Sequence, residues 1–206
     1  NDPLGADGDY WSLEDFRRLP FTPELAAALT HEVVSIDPAV TTKESSDFTG
    51  ITAVGWASPK LSVAPHAGKC VVLESRSIKA GADGIRLAAI RLVEKAVTRG
   101  HAVIIIVEVN QGGELWERIL HDMPCKVKVY TVSAPKPVRA ADALDHYQRG
   151  KVAHAPGLRD TEGQLVAFPN APHDDEVDSV GAGVRFFLSR EKRRGPGVGA
   201  VSVPYA

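Results

Sequence analysis

The stretch that decides the fold is AVIIIVEV, residues 102–109, which is apolar at every position except Glu108. An apolar run without polar alternation is typical of a central strand that is covered on both faces. A carboxylate inside such a strand is costly to bury unless a cation, a metal ion or water lies beside it. The stretch therefore predicts a central strand and makes Glu108 a candidate functional residue.

Shorter periodic segments surround this strand. The sequence predicts further strands over 32–38, 50–56, 69–78 and 126–132. Apolar residues at helical spacing predict helices over 83–99, 114–121, 136–149 and 174–192, with Gly100 and Gly150 suited to end two of them. We also predict a small hairpin from 152–155 and 165–168. Three antiparallel strands followed by β-α-β-α make an α/β domain, a mixed five-stranded sheet flanked by helices in the order of an RNase H-like fold.

The composition is that of an ordinary globular domain with an extra segment at each end. The 206 residues are 44% hydrophobic and 24% charged, and no apolar stretch approaches the length of a membrane span. We divide the chain into a lead-in or linker, 1–30, with a short helix beginning at Ser12; a folded RNase H-like domain, 31–192; and a flexible tail, 193–206, rich in Gly, Val and Pro.

Charge and cysteine content limit the class of protein. The sequence shows no signal peptide, and Cys70 and Cys125 are not spaced as the ligands of a metal site. These features indicate reduced thiols in a cytosolic protein. The net charge of −2 does not predict a nucleic-acid-binding surface. A protein that acts on DNA would have to concentrate positive charge locally or obtain it from metal ions.

Two acids are predicted at the ends of neighbouring strands. Asp37 closes the first strand and Glu108 lies near the end of the apolar strand. In the predicted topology these strands are adjacent, so the two carboxylates would repel each other unless a divalent cation joined them. For either acid alone, a salt bridge or a solvated strand edge remains an alternative.

A third group of acids opens the last predicted helix, in the segment HDDEVD, residues 173–178. One or two acids there would be ordinary helix capping, but four exceed that need. Asp174 and Asp178 lie at i and i+4, and Asp175 and Asp178 at i and i+3, so one helix face presents at least two carboxylates. An all-oxygen cluster with Asp37 and Glu108 suits Mg²⁺ or Mn²⁺ better than zinc.

Other polar residues are candidates for supporting roles. Asp47 could be an auxiliary metal ligand or a turn-capping residue, and His173 could contact a metal or be an exposed residue at the helix start. Four basic residues begin or follow the helix over 136–149 and could contact DNA phosphates or form a solvated helix face: Lys136, Arg139, Arg149 and Lys151.

Taken in order, these motifs resemble a known family. The resemblance lies in IDPA at 36–39 with SDFTGI at 46–51, EVNQGG at 108–113, KPVRA at 136–140 with YQRGKV at 147–152, and HDDEVDS at 173–179. It spans residues 33 to 188. The chain resembles the C-terminal nuclease domain of the terminase large subunit of tailed bacteriophages.

The resemblance implies an RNase H-like endonuclease that cuts concatemeric viral double-stranded DNA with two Mg²⁺ or Mn²⁺ ions. One ion would prepare a water and the other would stabilise the leaving 3′ oxygen. It assigns catalysis to Asp37, Glu108 and an aspartate of the last motif, Asp175 first, with Asp174 and Asp178 as alternatives. It also implies an upstream ATPase motor, a portal and a small terminase subunit as partners, in the cytoplasm of the host cell. No P-loop is present in the chain, so the motor itself is expected to be absent.

Three other readings are open. A junction resolvase or transposase-like nuclease would keep the fold and the chemistry. An ATP-binding domain of the actin and sugar-kinase type would need a glycine-rich phosphate turn after the first strand, where Pro38 and Ala39 stand. A domain that docks DNA or a portal without cutting would make the acids structural.

Overall fold

The structure is a computed structural model that describes residues 10–38, 48–109, 112–171 and 174–193. In chain order the elements are α1 (Leu13–Arg17), α2 (Pro23–Ala27), β1 (His31–Asp37), β2 (Thr49–Ala57), β3 (Lys69–Ile78), α3 (Ala82–Thr98), β4 (Ala102–Val109), α4 (Gly113–Ile119), β5 (Lys126–Thr131), α5 (Lys136–Gln148), β6 (Val152–His154), α6 (Arg159–Ala167) and α7 (Asp175–Arg193). No described helix is long and apolar enough to cross a lipid bilayer. Asp47, His173 and the tail from 194 onward lie outside the described residues.

The strands form one mixed sheet in the order β5-β4-β1-β2-β3-β6. Strands β1, β2 and β3 are antiparallel neighbours, whereas β4 is parallel to β1 and β5 is parallel to β4. The antiparallel strands followed by β-α-β-α are therefore as the sequence predicts. This arrangement is the RNase H-like fold.

The predicted small hairpin is wrong, and among the residues that the structure describes the sheet has six strands rather than five. Strand β6 pairs parallel with β3, with Val152 opposite Cys70. The partner expected over 165–168 belongs mostly to helix α6, where Thr161 and Leu165 are buried four residues apart on one helix face. Residues 152–155 pair with the exposed edge of β3, and that leaves the following segment free to cover the sheet as a helix.

The sheet has hydrophobic core residues packed against both of its faces. On β1, Val33 packs into the core beneath α5 and α7, whereas Val34 and Ile36 pack into the core beneath α3 and α4. Side chains alternate along a strand, so Ser35 and Asp37 face the α5 and α7 side. The hydroxyl of Ser35 donates to the backbone carbonyl of Ser179 in α7, which fixes this helix against the strand.

Helix α7 begins very close to the sheet. A Cβ atom on Gly50 would lie 2.1 Å from the carbonyl oxygen of Asp175, so only glycine allows the first turn of α7 to approach β2 so closely. A Cβ atom on Gly183 would likewise meet the side chain of Val54 at 2.6 Å. Two glycines therefore determine how closely the acidic motif approaches the ends of the strands.

Residues from Tyr10 onward pack against the domain. Ser12 is the N-cap of α1 in a capping box with Asp15, as the sequence predicts. Trp11 and Phe16 are buried and contact the ring of Tyr147 edge-on. The part of the predicted lead-in that the structure describes is thus folded, while the proposed domain boundaries stay a prediction.

Candidate functional site

The site is built around two strand ends. Ile36 of β1 is paired with Val107 of β4, so the next residues of these parallel strands, Asp37 and Glu108, are neighbours across the sheet. Both side chains face the α5 and α7 side, because Ser35 and Ile106, two residues earlier, face that side. Parallel pairing of a hydrophobic run with β1 thus brings the two acids together.

Helices α5 and α7 bring a third acid and two cations to these strand ends. Asp178 is 5% exposed. Arg139 connects it to the strands, since its Nη2 lies 3.0 Å from Oδ1 of Asp178 and its Nη1 lies 2.8 Å from Oε2 of Glu108. Lys136 lies one turn earlier on α5, and its Nζ is 2.8 Å from Oδ2 of both Asp178 and Asp174.

Sequence reasoning missed two further partners of Glu108. The hydroxyl of Tyr130 in β5 donates to Oε1 at 2.9 Å. Nη2 of Arg185 in α7 lies 2.9 Å from Oε1 and 3.2 Å from Oε2. Arg185 follows Asp178 by seven residues, two helical turns, and this spacing is the signal that could have placed both residues on one face of α7.

Asp37 differs from the other acids. Within the described part of the chain its carboxylate makes no hydrogen bond or salt bridge. The pKa of Asp37 is raised to about 8, chiefly by burial; the nearby carboxylates of Asp178 and Glu108 contribute to the increase, while Lys136 and Arg139 oppose it. In the absence of a metal ion, the charged form of Asp37 is therefore disfavoured.

The grouping of Asp37, Glu108 and Asp178 at the strand ends is the observation that fits a divalent cation. The available donors are carboxylate oxygens, the ligand type that Mg²⁺ and Mn²⁺ prefer. The pKa of Lys136 is raised too: burial acts to lower it, but the carboxylates of Asp178 and Asp174 outweigh that effect. Across residues 10–38, 48–109, 112–171 and 174–193, no three acidic, histidine or cysteine side chains stand close enough together to hold an ion without rearrangement.

One acid of the HDDEVD segment has a structural role. Glu176 is 3% exposed and accepts hydrogen bonds from the Ser77 backbone at 3.1 Å, the Thr161 hydroxyl at 2.6 Å and the Gln164 amide at 3.0 Å. These bonds connect the first turn of α7 to β3 and α6. Glu176 is one of the four acids that exceed the need of helix capping, although the sequence did not mark it as a metal ligand, and in the structure it anchors the helix.

The remaining candidates lie at various distances from the strand ends. Asp175 begins α7, half-buried, with its carbonyl over Gly50. Arg149 pairs with Asp145 at 2.9 Å and is mostly exposed. Arg149 and Lys151 follow the last turn of α5, on the order of 20 Å along the helix from Lys136. The structure thus brings Lys136 and Arg139 to the acids, and it places Arg149 and Lys151 elsewhere.

A groove of about 1000 Å³ opens beside Glu108. It runs between the edge strand β5 and helices α5 and α7, and its lining includes Lys128, Tyr130, Arg139, Arg185 and Phe186. Glu108 is therefore reachable from the surface on the β5 side.

No protein-family model matches the chain, and no curated protein matches it in sequence. The solved structures similar to it include the human cytomegalovirus terminase nuclease domain, soaked with manganese and bound to an inhibitor, at 14% identity, 84% coverage of this chain, 92% of that chain and a TM-score of 0.57.

The large terminase nuclease of the thermophilic phage G20c is similar at 11% identity, with 78% of this chain and 95% of that chain covered and a TM-score of 0.52. Its magnesium-bound form gives 11% identity, 79% and 94% coverage and a TM-score of 0.50. Because the identities are low, what the three structures establish is a common architecture. The fold of this chain is the fold of the terminase nuclease domains.

Proposed function

We propose that the chain is the endonuclease domain of a viral DNA-packaging terminase and cuts concatemeric double-stranded DNA by two-metal-ion hydrolysis of a phosphodiester bond. The observation that carries this proposal is the pair of carboxylates on adjoining strand ends, Asp37 and Glu108, facing Asp178 of α7. The similar terminase nucleases include one soaked with manganese and one with bound magnesium, which supports a divalent ion as cofactor.

Asp37, Glu108 and one aspartate of the last motif are the proposed catalytic acids. Burial and proximity to Asp37 favour Asp178 as the third acid. Asp175, the first choice from the resemblance, stays a prediction, and Asp174 is paired with Lys136. Divalent ions held by these oxygens would activate water and stabilise the charge on the leaving oxygen.

The remaining steps rest on side chains of this chain. Lys136 and Arg139 orient Asp178, and Arg139 and Arg185 hold Glu108. The same cations would be attracted to the phosphates of duplex DNA at the mouth of the groove. The side chain of Lys136 is 28% exposed and that of Arg139 is 13% exposed. To contact a phosphate, both side chains must therefore move away from the carboxylates that they bind. Arg149 and Lys151 are proposed as more distant phosphate contacts.

The cellular setting is proposed from the same family. An upstream ATPase motor would feed DNA to this domain, and a portal and a small terminase subunit would be partners in the cytoplasm of an infected host. A net charge of −2 supports the view that DNA is held mainly by other parts of such an assembly.

Incubation with supercoiled plasmid and Mn²⁺ tests the proposal. We expect nicked and linear products that are lost with EDTA and in Asp37→Asn. Asp122→Asn is the matched control, because Asp122 is an exposed acid paired with Arg86, away from the strand ends. Equal cleavage by Asp37→Asn and the parent chain would rule out the proposed catalytic acid. Mn²⁺ binding without cleavage, even at high protein concentration, would favour a docking domain.

A further inference from the structure

The carboxylate of Glu108 has its full hydrogen-bonding capacity in use. An ionised carboxylate offers about four acceptor positions, two on each oxygen. Oε1 accepts from the Tyr130 hydroxyl at 2.9 Å and from Arg185 at 2.9 Å. Oε2 accepts from Arg139 at 2.8 Å and from Arg185 at 3.2 Å. While these three side chains stay in place, no acceptor position of Glu108 is left for a metal ion.

The other two acids keep positions available. Asp178 receives Arg139 at 3.0 Å on one oxygen and Lys136 at 2.8 Å on the other, so each oxygen has one acceptor position left. Asp37 receives no hydrogen bond or ion pair from any other residue in the ranges that the structure describes. The capacity to coordinate a cation is therefore concentrated at Asp37 and Asp178.

We propose that Arg139, Arg185 and Tyr130 form a clamp on Glu108 that makes metal binding stepwise. One divalent ion binds at Asp37 and Asp178, and a second ion gains Glu108 as a ligand only when the clamp is displaced. This inference rests on the proposed function, since it concerns the metal ions of that same site.

Charge supports the same order of events. The two guanidinium groups supply next to Glu108 the positive charge that a metal ion would otherwise supply, and they would repel an incoming ion. Charge-assisted hydrogen bonds are also among the strongest in proteins, so an ion must compete with several of them at once. Arg185 contributes two of the four hydrogen bonds and is therefore the residue with the largest control over metal occupancy.

Titration of the DNA-free protein with Mn²⁺ tests the clamp, by calorimetry and by the electron paramagnetic resonance signal of unbound Mn²⁺. We expect the parent chain to bind one ion, with Asp37→Asn abolishing that binding and Glu108→Gln leaving it intact. In Arg185→Gln we expect a second ion to bind as well. Its dissociation constant should be about tenfold or more lower than that of a second, weakly bound ion in the parent chain, because the variant loses charge-assisted hydrogen bonds to Glu108.

Two further variants make the test selective. Tyr130→Phe removes a single hydrogen bond from Glu108 on the edge strand, so it should shift the second ion in the same direction but less, even if Arg185→Gln folds poorly. Arg86→Gln breaks a bidentate pair with Asp122 outside the site and should leave the titration unchanged.

The outcomes separate this inference from the proposed function. If the parent chain binds two ions equally well, or if Arg185→Gln and Tyr130→Phe leave the second ion unchanged, the clamp is overturned, while metal-dependent cleavage lost in Asp37→Asn would still support the nuclease. If the parent chain binds no Mn²⁺ at all, both proposals fall together.

Discussion

At the scale of the residue, Asp37 shows how a buried acid in the proposed metal site weakens the fold. Its pKa is raised from an ordinary value of 3.8 to about 8, chiefly by burial and also by the charges of Asp178 and Glu108. The folded state therefore holds a proton at Asp37 that the unfolded chain releases between these two pH values. Without a metal ion, the contribution of Asp37 to the free energy of unfolding therefore decreases as the pH rises from 3.8 to about 8.

We predict that Asp37→Asn stabilises the metal-free protein. The amide carries no charge, so the variant escapes the repulsion, and at neutral pH the gain should be about 1–2 kcal/mol, a typical size for a stabilising substitution. Thermal melts in EDTA at pH 5 and pH 8 check this. The melting temperature of the variant should exceed that of the parent chain, and the gap should be larger at pH 8. An equal gap at both pH values would show that Asp37 does not change its protonation on folding.

Single residues differ in how far the sequence reveals them. Asp37 and Glu108 stand out because acids interrupt apolar strands, and strand pairing then follows from the topology. The partners of Glu108 could not be predicted in the same way. Tyr130 and Arg185 reach it from β5 and α7, and their contact depends on how these elements pack, which local periodicity does not encode.

At the scale of the element, α7 is held by its first turn. Glu176 connects this turn to β3 and α6 through three different donor residues, and Gly50 allows the backbone of Asp175 to approach β2. Asp178 follows directly, so its position depends on the same anchor. The sequence predicts the helix and its acidic start, but an anchoring acid and a proposed metal ligand look alike until the packing of the helix is known.

We predict that Glu176→Ala destabilises the protein by about 3 kcal/mol, because buried donors on Ser77, Thr161 and Gln164 lose their acceptor. Urea unfolding followed by circular dichroism measures the change. Glu114→Ala is the matched control, an exposed acid in the first turn of α4, and should change stability by less than about 0.5 kcal/mol. Similar values for the two variants would mean that Glu176 is an ordinary capping residue.

At the scale of the whole molecule, the hydrophobic core under α5 and α7 extends to residues that precede the first strand. Tyr10, Trp11 and Phe16 belong to the same core as Val33 and Val54 of the sheet. The sequence analysis assigned these aromatic residues to a lead-in, because Gly, Pro and Asp around them dominate the local composition. Their partners, Tyr147 and Phe168, lie more than a hundred residues later, so no local pattern connects them.

If residues from Tyr10 onward are part of the folding unit, Trp11→Ala should destabilise the whole domain. Trp11 is 2% exposed and contacts Tyr147 and Phe168, and deletion of a buried aromatic ring costs about 3–5 kcal/mol. Leu13→Ala is the control in the same segment, since Leu13 is 57% exposed and its truncation should cost far less. Urea unfolding should give a single transition, and Trp11→Ala should move that transition to a lower urea concentration. The shift should be the same whether it is followed by tyrosine fluorescence or by far-ultraviolet circular dichroism. A shift no larger than that of Leu13→Ala would instead show that the segment is an appended linker and that the nuclease fold is complete from β1 onward.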